Sequence, residues 1–452
     1  MMSPANALRF YPTHRHISEN LIRRTFGEHT GVLQSMLVSP IEHPFGLNIR
    51  SVTGHMPNYH RVLIDPLLEI RFHLAGYGVH IEEALIRFVG EGIERYSSVG
   101  SATLFDGMVE YGCHKTVSGR RDVLPLRLLQ IFSESDRVKL GAGKYGGLEA
   151  ATSETRLAWL PCPSLQQPTK TILTPMQVLF MGHKVNRPNE ARILPTFSTG
   201  TAAHTNFQSA FLNSLLEIVQ IDALMFNWYT LGDIEEVILD DTIVSSLCAS
   251  LGEFTLRVVR YPVTASPNVY VFGAILEQKN GKRPLLVFGS QADLDPVRGV
   301  YRAVMEACAI TFLGFYGALF APDEYFPNSR RERFVDLDSN VGWYANPYEA
   351  DKKKAAIFSR IRRRVPLSSL KSHSTGTSNQ DVRSIVENAG LAFRNAVFLD
   401  VTPPEVRQFG WYVVRIFAPE LITMCLPSVP YSQHPKFLKA GGISNEFPHP
   451  LP

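Results

Sequence analysis

The stretch Thr205 to Tyr229, TNFQSAFLNSLLEIVQIDALMFNWY, constrains this chain more than any other. Thr205 followed by Gln208 matches a capping-box start, and the apolar spacing predicts one long helix. Phe207, Phe211, Leu215, Ile218, Leu224, Met225 and Trp228 supply apolar bulk, interrupted by Asn213, Glu217 and Gln220 at spacings of four and three. At about 100° per residue those three fall within roughly a 60° arc. A narrow polar stripe therefore runs along an otherwise apolar helix, crowded by Leu216, Val219 and Ile221. A solvated face is one account of it. A second segment, IEEALIRFVGEGIERYS, repeats the layout with Arg87, Glu91 and Glu94. Two matching acidic stripes point to a shared polar site suited to divalent metal and phosphate.

Composition narrows the partners. A chain of 452 residues with 45% hydrophobic and 19% charged residues has the make-up of an ordinary globular protein with room for two or three subdomains. A net charge of +3 is too small to make nucleic acid or an anionic membrane the main partner. The five cysteines are scattered singly with no CxxC, against both a disulfide framework and a cysteine zinc site. With no signal-peptide core at the start, a reducing cytoplasm is expected. The uncharged run from Ala307 to Ala321 is short of the roughly twenty residues a membrane span needs.

Residues 1–73 read as a subdomain of short strands and loops. Its histidines, His14, His16, His43, His55 and His60, lack metal-ligand spacing and are taken as scattered. The first acidic helix is expected from Glu82 to Ser97. Gly90 and Gly92 inside it suggest a close approach to its backbone, and an Arg95 partner for Glu91 is the plain alternative. Gly141, Gly143 and Gly146 form a GxGxxG, but no strand precedes it and no long helix follows, so it is read as a loop. Arg156 to Phe180 reads as strands broken at prolines. The small-residue turn FSTGTAAH, Phe197 to His204, offers free N–H groups to an anion. LRVVRY, NVYVFGAIL and PLLVFGS read as a β-meander turning at Asn280-Gly281. A third helix from Pro296 carries Arg302 and Glu306, a phosphate ligand and a carboxylate or else an intrahelical ion pair. Residues 327–380 form a charged insertion expected to be mobile, with a basic cluster at Lys352, Lys353, Lys354, Arg360, Arg362, Arg363 and Arg364. Alternating Pro448, Pro450 and Pro452 favour stiff polyproline II, with a frayed tail as the alternative.

Taken in order, ALIRFVGEGIERYS, STGTAAH with LLEIVQIDALMFNWY, VFLDVTPPEVRQFGWYVVRIFAPELI and PHPLP resemble the YcaO family, in particular the stand-alone D-type subunit of azoline-forming cyclodehydratases. The resemblance runs from about Leu74 to the last residue. It implies an α/β (α+β) fold of YcaO type, with mixed and antiparallel sheets and helices lining a central ATP site, over residues 74–452. It further implies Mg2+ held by Glu91, Glu94, Glu217 and Glu306, and ATP held by Arg87, Asn213, Gln220 and Arg302. Pro448, Pro450 and Pro452 would support cyclisation. Departures are Arg87 where many relatives have serine, Tyr77 where many have lysine, and Gln220-Ile221 in place of a glutamate-arginine pair.

The reaction implied is ATP-dependent conversion of Cys, Ser or Thr in a ribosomal precursor peptide to thiazoline or oxazoline, as in bacteriocin biosynthesis. A thioamide- or amidine-forming enzyme and a non-catalytic scaffold are the alternatives. The residues before the first motif are too few for a leader-binding domain, so a separate leader-peptide-binding partner subunit is expected. The resemblance also implies a homodimer and a flavin dehydrogenase partner.

Overall fold

The computed structural model describes residues 19–20, 22–27, 31–38, 49–64, 66–67, 73–141, 147–185, 187–248, 251–320 and 337–451. Three antiparallel strands come first, β1 (Ser35–Val38), β2 (Arg50–His55) and β3 (His73–Gly78), in that order across the sheet. Val52 and Leu74 point from it into the core against α1 (Ile81–Gly100). The approach is close, since a Cβ at Gly76 would meet the Ala84 carbonyl oxygen at 1.9 Å. The helix glycines serve packing as well. Gly92 makes room for Leu33, and Gly90 lies under the Trp411 ring, so what nears this backbone is the chain's own apolar side chains.

Proline-punctuated alternation gives a second antiparallel sheet, β4 (Glu110–Cys113), β5 (Arg156–Pro163) and β6 (Thr171–Pro175). Gly141 of the GxGxxG ends a short helix, Glu134–Gly141, so no strand leads into it. Gly143 and Gly146 lie outside the described residues, as do His14, His16 and His43.

β7 (Thr201–His204) leads into the central helix α2 (Phe207–Tyr229). The capping residue is Asn206 rather than Thr205: its extended backbone lets the side chain accept from the Ser209 N–H at 3.0 Å. After α2 come β8 (Ile234–Ile238) and the expected meander of β9 (Phe254–Tyr261), β10 (Tyr270–Gln278) and β11 (Leu286–Asp293), then α3 (Pro296–Phe320). Gly281 takes φ +63° in the turn, a conformation that favours glycine. Further on lie α4 (Leu337–Ala345), α5 (Ala350–Phe358), β12 (Ile361–Pro366), β13 (Val397–Asp400) and β14 (Tyr412–Phe417). They complete a five-stranded sheet, β11-β10-β9-β8-β12, and a three-stranded one, β13-β14-β7. α2 is packed against both. It is long and apolar enough to cross a membrane, yet 78% of its most apolar window is buried inside the protein. Apolar residues all round this helix are needed because sheets cover it on opposite sides.

Part of the charged insertion is folded. Residues 327–336 lie outside the described residues, but from Leu337 the chain is packed, with Val341, Tyr344 and Ala345 buried. The basic cluster is not a free anion-binding face. Arg363 and Arg364 pair with Glu235 and Glu236 of β8, Arg362 with Asp233, Lys352 with Glu349, and Lys354 with Glu277. Lys353 is fully buried and donates to the Trp343 and Asn346 carbonyls. Arg360 donates to Asn227 O in the last turn of α2 at 2.7 Å and to Gly232 O just beyond it at 2.9 Å, a cation at the negative end of the helix. In the sequence these cations look unopposed because several of their partners sit about 130 positions earlier. Arg360→Met, which keeps the stem but removes both charge-assisted hydrogen bonds, is expected to cost about 2–3 kcal/mol. Urea unfolding monitored at the tryptophans reads that loss as a lowered midpoint.

Candidate active site

Three helices bring the acidic stripes together. α1 supplies Glu91 and Glu94, α2 supplies Glu217 and α3 supplies Glu306. Each of three carboxylates is fastened by a backbone N–H from neighbouring sheet structure. Ala75 in β3 donates to Glu91 at 2.8 Å, Gly200 before β7 to Glu217 at 3.1 Å, and Ser290 in β11 to Glu306. The small-residue turn thus offers its N–H to the chain's own carboxylate. Gly200 has φ +85°, and a Cβ there would meet the Ile416 carbonyl oxygen at 2.4 Å, so this turn needs glycine. Arg95 reaches both α1 glutamates, at 3.5 Å to Glu91 and 3.3 Å to Glu94.

The four charges feel one another. Glu94 is raised well above the usual carboxylate range, first by burial and then by Glu217 and Glu91 against the pull of Arg95. Burial pushes Glu217 up to about 7, with Arg95, the Gly200 N–H and Arg415 opposing. Glu306 is likewise pushed up to about 7, by burial and by Glu217 and Glu91. Glu91 moves in the same direction, by burial. A half-buried set of hard oxygen donors short of positive charge suits Mg2+. Among the described residues no three His, Cys, Asp or Glu side chains form a ready-made metal cage. Mg2+ characteristically takes one or two carboxylates and completes its octahedron with phosphate oxygens and water.

The expected nucleotide residues divide. Arg87 donates to Glu83 at 2.7 Å and its guanidinium lies 5.1 Å from the centre of the Tyr77 ring. Arg302 lies 3.9 Å from Asp293, which Arg298 already grips with two hydrogen bonds, and so it does not form the intrahelical pair with Glu306. Burial and the neighbouring Arg87 push Arg302 downward, the signature of cations crowded without enough anion. Asn213 is half-buried on the Glu217 stripe. Gln220 is committed elsewhere. Its amide donates to Ser290 O at 3.1 Å and Ser290 Oγ at 2.9 Å and accepts from the Ala292 N–H at 3.0 Å, tying α2 to β11.

Pro448 and Pro450 are buried, not frayed, and Pro452 lies outside the described residues. His449, Pro450 and Leu451 share a small cavity with Met225, Trp228 and Ser290. Ser290, which shares this cavity with the proline segment, is also the residue whose N–H holds Glu306. Arg415 is a site residue that the sequence reading misses. It is buried in β14, donating to Thr199 O at 2.7 Å and Val178 O at 2.8 Å while facing Glu217 and Glu94 electrostatically. Its signal is a single charge inside the apolar strand WYVVRIFA.

These shifts make stability depend on pH. Glu217 and Glu306 hold protons near pH 7 in the folded chain that an unfolded glutamate, with its pKa of 4.5, has lost. The folded state therefore binds more protons between those limits, and without metal its stability falls as pH rises from about 4.5 to 7. Mg2+ needs the ionised forms, so the rise in melting temperature caused by Mg2+ with ATP is expected to grow from pH 6 to pH 8. Glu217→Gln should raise the metal-free melting temperature at pH 8 and shrink that increment.

The profile of the family described as YcaO cyclodehydratase, ATP- and Mg2+-binding, matches residues 75–422. No curated protein matches by sequence. Among solved structures, YcaO from Methanopyrus kandleri bound with AMPPCP and Mg2+ is 18% identical, with a TM-score of 0.63 over 93% of this chain and 92% of that one. A heterocyclase in complex with substrate and cofactor is 18% identical with a TM-score of 0.68, covering 96% of this chain, which spans 57% of that protein. The E. coli microcin synthetase McbBCD complex with pro-MccB17 bound is 12% identical, with a TM-score of 0.61 and coverage of 94% and 98%. With that profile matched over residues 75–422, this chain belongs to the YcaO family of ATP- and Mg2+-binding cyclodehydratases.

Proposed function

We propose that this chain is the catalytic subunit of an azoline-forming cyclodehydratase, acting on Cys, Ser or Thr residues of a ribosomal precursor peptide. The observation that carries the reading is the single electrostatic centre of Glu91, Glu94, Glu217 and Glu306, flanked by Arg87 and Arg302. In this reading the side-chain thiol or hydroxyl attacks the preceding amide carbonyl. The resulting oxyanion takes the γ-phosphoryl group of ATP, releasing ADP. The amide nitrogen then loses its proton and expels phosphate, leaving a C=N bond in a five-membered ring. Overall the peptide loses one water.

Glu91, Glu94, Glu217 and Glu306 would hold Mg2+, which supplies positive charge to the phosphates of ATP. Arg302, crowded by Arg87 and Arg298, and Arg87, paired with Glu83, would orient the polyphosphate. Asn213 faces the nucleotide from the same stripe as Glu217, and Gln220 acts by setting the distance between α2 and β11. Pro448, Pro450 and Pro452, as the resemblance implies, would support cyclisation, which favours azoline formation over the thioamide or amidine chemistry of a similar ATP site.

The partners belong to the same reading: a precursor peptide, a separate leader-peptide-binding subunit, a second copy of this chain, and a flavin dehydrogenase where azolines are oxidised further, all in the cytoplasm. The heterocyclase described with substrate, and the microcin synthetase described as a complex with pro-MccB17, support peptide binding and assembly with other subunits.

The test combines this protein, the leader-binding subunit, the precursor peptide, ATP and Mg2+. Mass spectrometry should show one water lost per modified residue, matched by released phosphate; ATP turnover with no mass change would refute the reading. Glu217→Ala should abolish modification while the circular-dichroism spectrum stays native. Truncation after Pro450 should cut cyclisation far more than ATP affinity.

A further inference from the structure

Alternating prolines leave Pro448 to Leu451 rich in carbonyls and poor in N–H donors, because Pro448 and Pro450 have none. Such a segment cannot be held as an ordinary strand. It must be gripped by donors from elsewhere, and side chains supply them. Asn340, fully buried in α4, donates its amide to His449 O and Leu451 O, each at 2.6 Å. One turn along the same helix, Tyr344 donates its hydroxyl to Pro448 O at 2.7 Å. From the other side, the Trp228 indole N–H of α2 donates to Phe447 O at 2.9 Å.

The histidine between the prolines fits the same arrangement. His449 is fully buried, and burial pushes its pKa down to about 4. Its Nε2 lies 2.8 Å from Cys425 O, a group that only accepts, so Nε2 carries the proton. Nδ1 is then left as an acceptor facing Asn340 Nδ2 at 3.4 Å.

α4 is itself anchored. Lys353 of α5 donates to the Trp343 and Asn346 carbonyls at its end and lies 4.5 Å from the centre of the Trp343 ring, which in turn packs against Phe447. We propose that Asn340 and Tyr344 of α4, braced by Lys353, are positioning residues that hold the carbonyls of the proline segment and so fix it beside Ser290 and the carboxylate centre. The part of the insertion beyond Leu337 thereby gains a task, as a clamp on a segment about 100 residues later in sequence. The catalytic consequence rests on the azoline-forming reading; the clamp itself does not.

The test uses the full chain with its leader-binding subunit. Asn340→Asp keeps the shape and removes both donors. Cyclisation kcat should fall about 100-fold, the scale of a misplaced reacting group, with the Kd for ATP and Mg2+ within about twofold of wild type. Tyr344→Phe, which removes one hydroxyl, should lose about tenfold in kcat. Asn340→Gln, which restores the donors, should recover part of the loss. Independently of any substrate, hydrogen exchange at the His449 and Leu451 amides should quicken in Asn340→Asp and not in Asn340→Gln. Unchanged exchange at those amides overturns the clamp. A parallel fall of kcat and nucleotide affinity overturns the positioning role, as does wild-type kcat in both Asn340→Asp and Tyr344→Phe. Wild-type protein that never dehydrates its peptide would refute the functional reading while leaving the exchange result to judge the clamp.

Discussion

Like charges in a half-dry space repel unless each is tied down, and the fold around α2 is arranged to tie them. Glu91 is held from the β1-β2-β3 sheet, Glu217 from the turn before β7, and Glu306 from β11 of the five-stranded sheet. The carboxylates meet where three separate sheets come together. Arg95 and Arg415 offset only part of the repulsion, so the centre is poised to take up additional positive charge. Elements that look remote from chemistry, such as the glycine at position 200, are needed because a displaced carboxylate would lose the N–H that restrains it.

Much of this is legible in the sequence. The two polar stripes can be read because helical spacing converts sequence into direction, and Glu94 does lie within electrostatic reach of Glu217 and Glu91. The meander is legible from alternation and from one Asn-Gly turn. The capping chemistry is misleading by one residue, since Thr205 and Asn206 are both competent and only the end of β7 decides between them. The insertion misleads for a different reason. Charged residues advertise exposure, and nothing local shows that Lys353 is buried against carbonyls or that β8 holds the acidic partners of β12. Gln220 shows the converse limit: spacing gives its direction correctly but cannot show that β11 occupies its amide.

α2 ties these parts together. Its N-terminal half carries Glu217 to the centre, its middle is fixed to β11 by Gln220, and its C-terminal end takes Arg360 on its carbonyls and lends the Trp228 indole to the proline segment. A shift of the helix along its axis would disturb all of these contacts together. The carboxylates and the proline segment are therefore both positioned from one helix.

The edge strand β12 has a consequence for how the chain finds its fold. Among the described residues it is the one parallel partner in its sheet, and Arg363 and Arg364 lie opposite Glu235 and Glu236 while Arg362, bulged out of register, reaches Asp233. Sliding β12 by two residues would keep every side chain on its proper face, so hydrophobicity alone could not reject the error. In either direction, however, Arg364 would come opposite an isoleucine, Ile234 or Ile238, and lose Glu236. The ion pairs act as a proofreading code, contributing little to stability at the surface but much to the choice of alignment when a late strand docks on an early one.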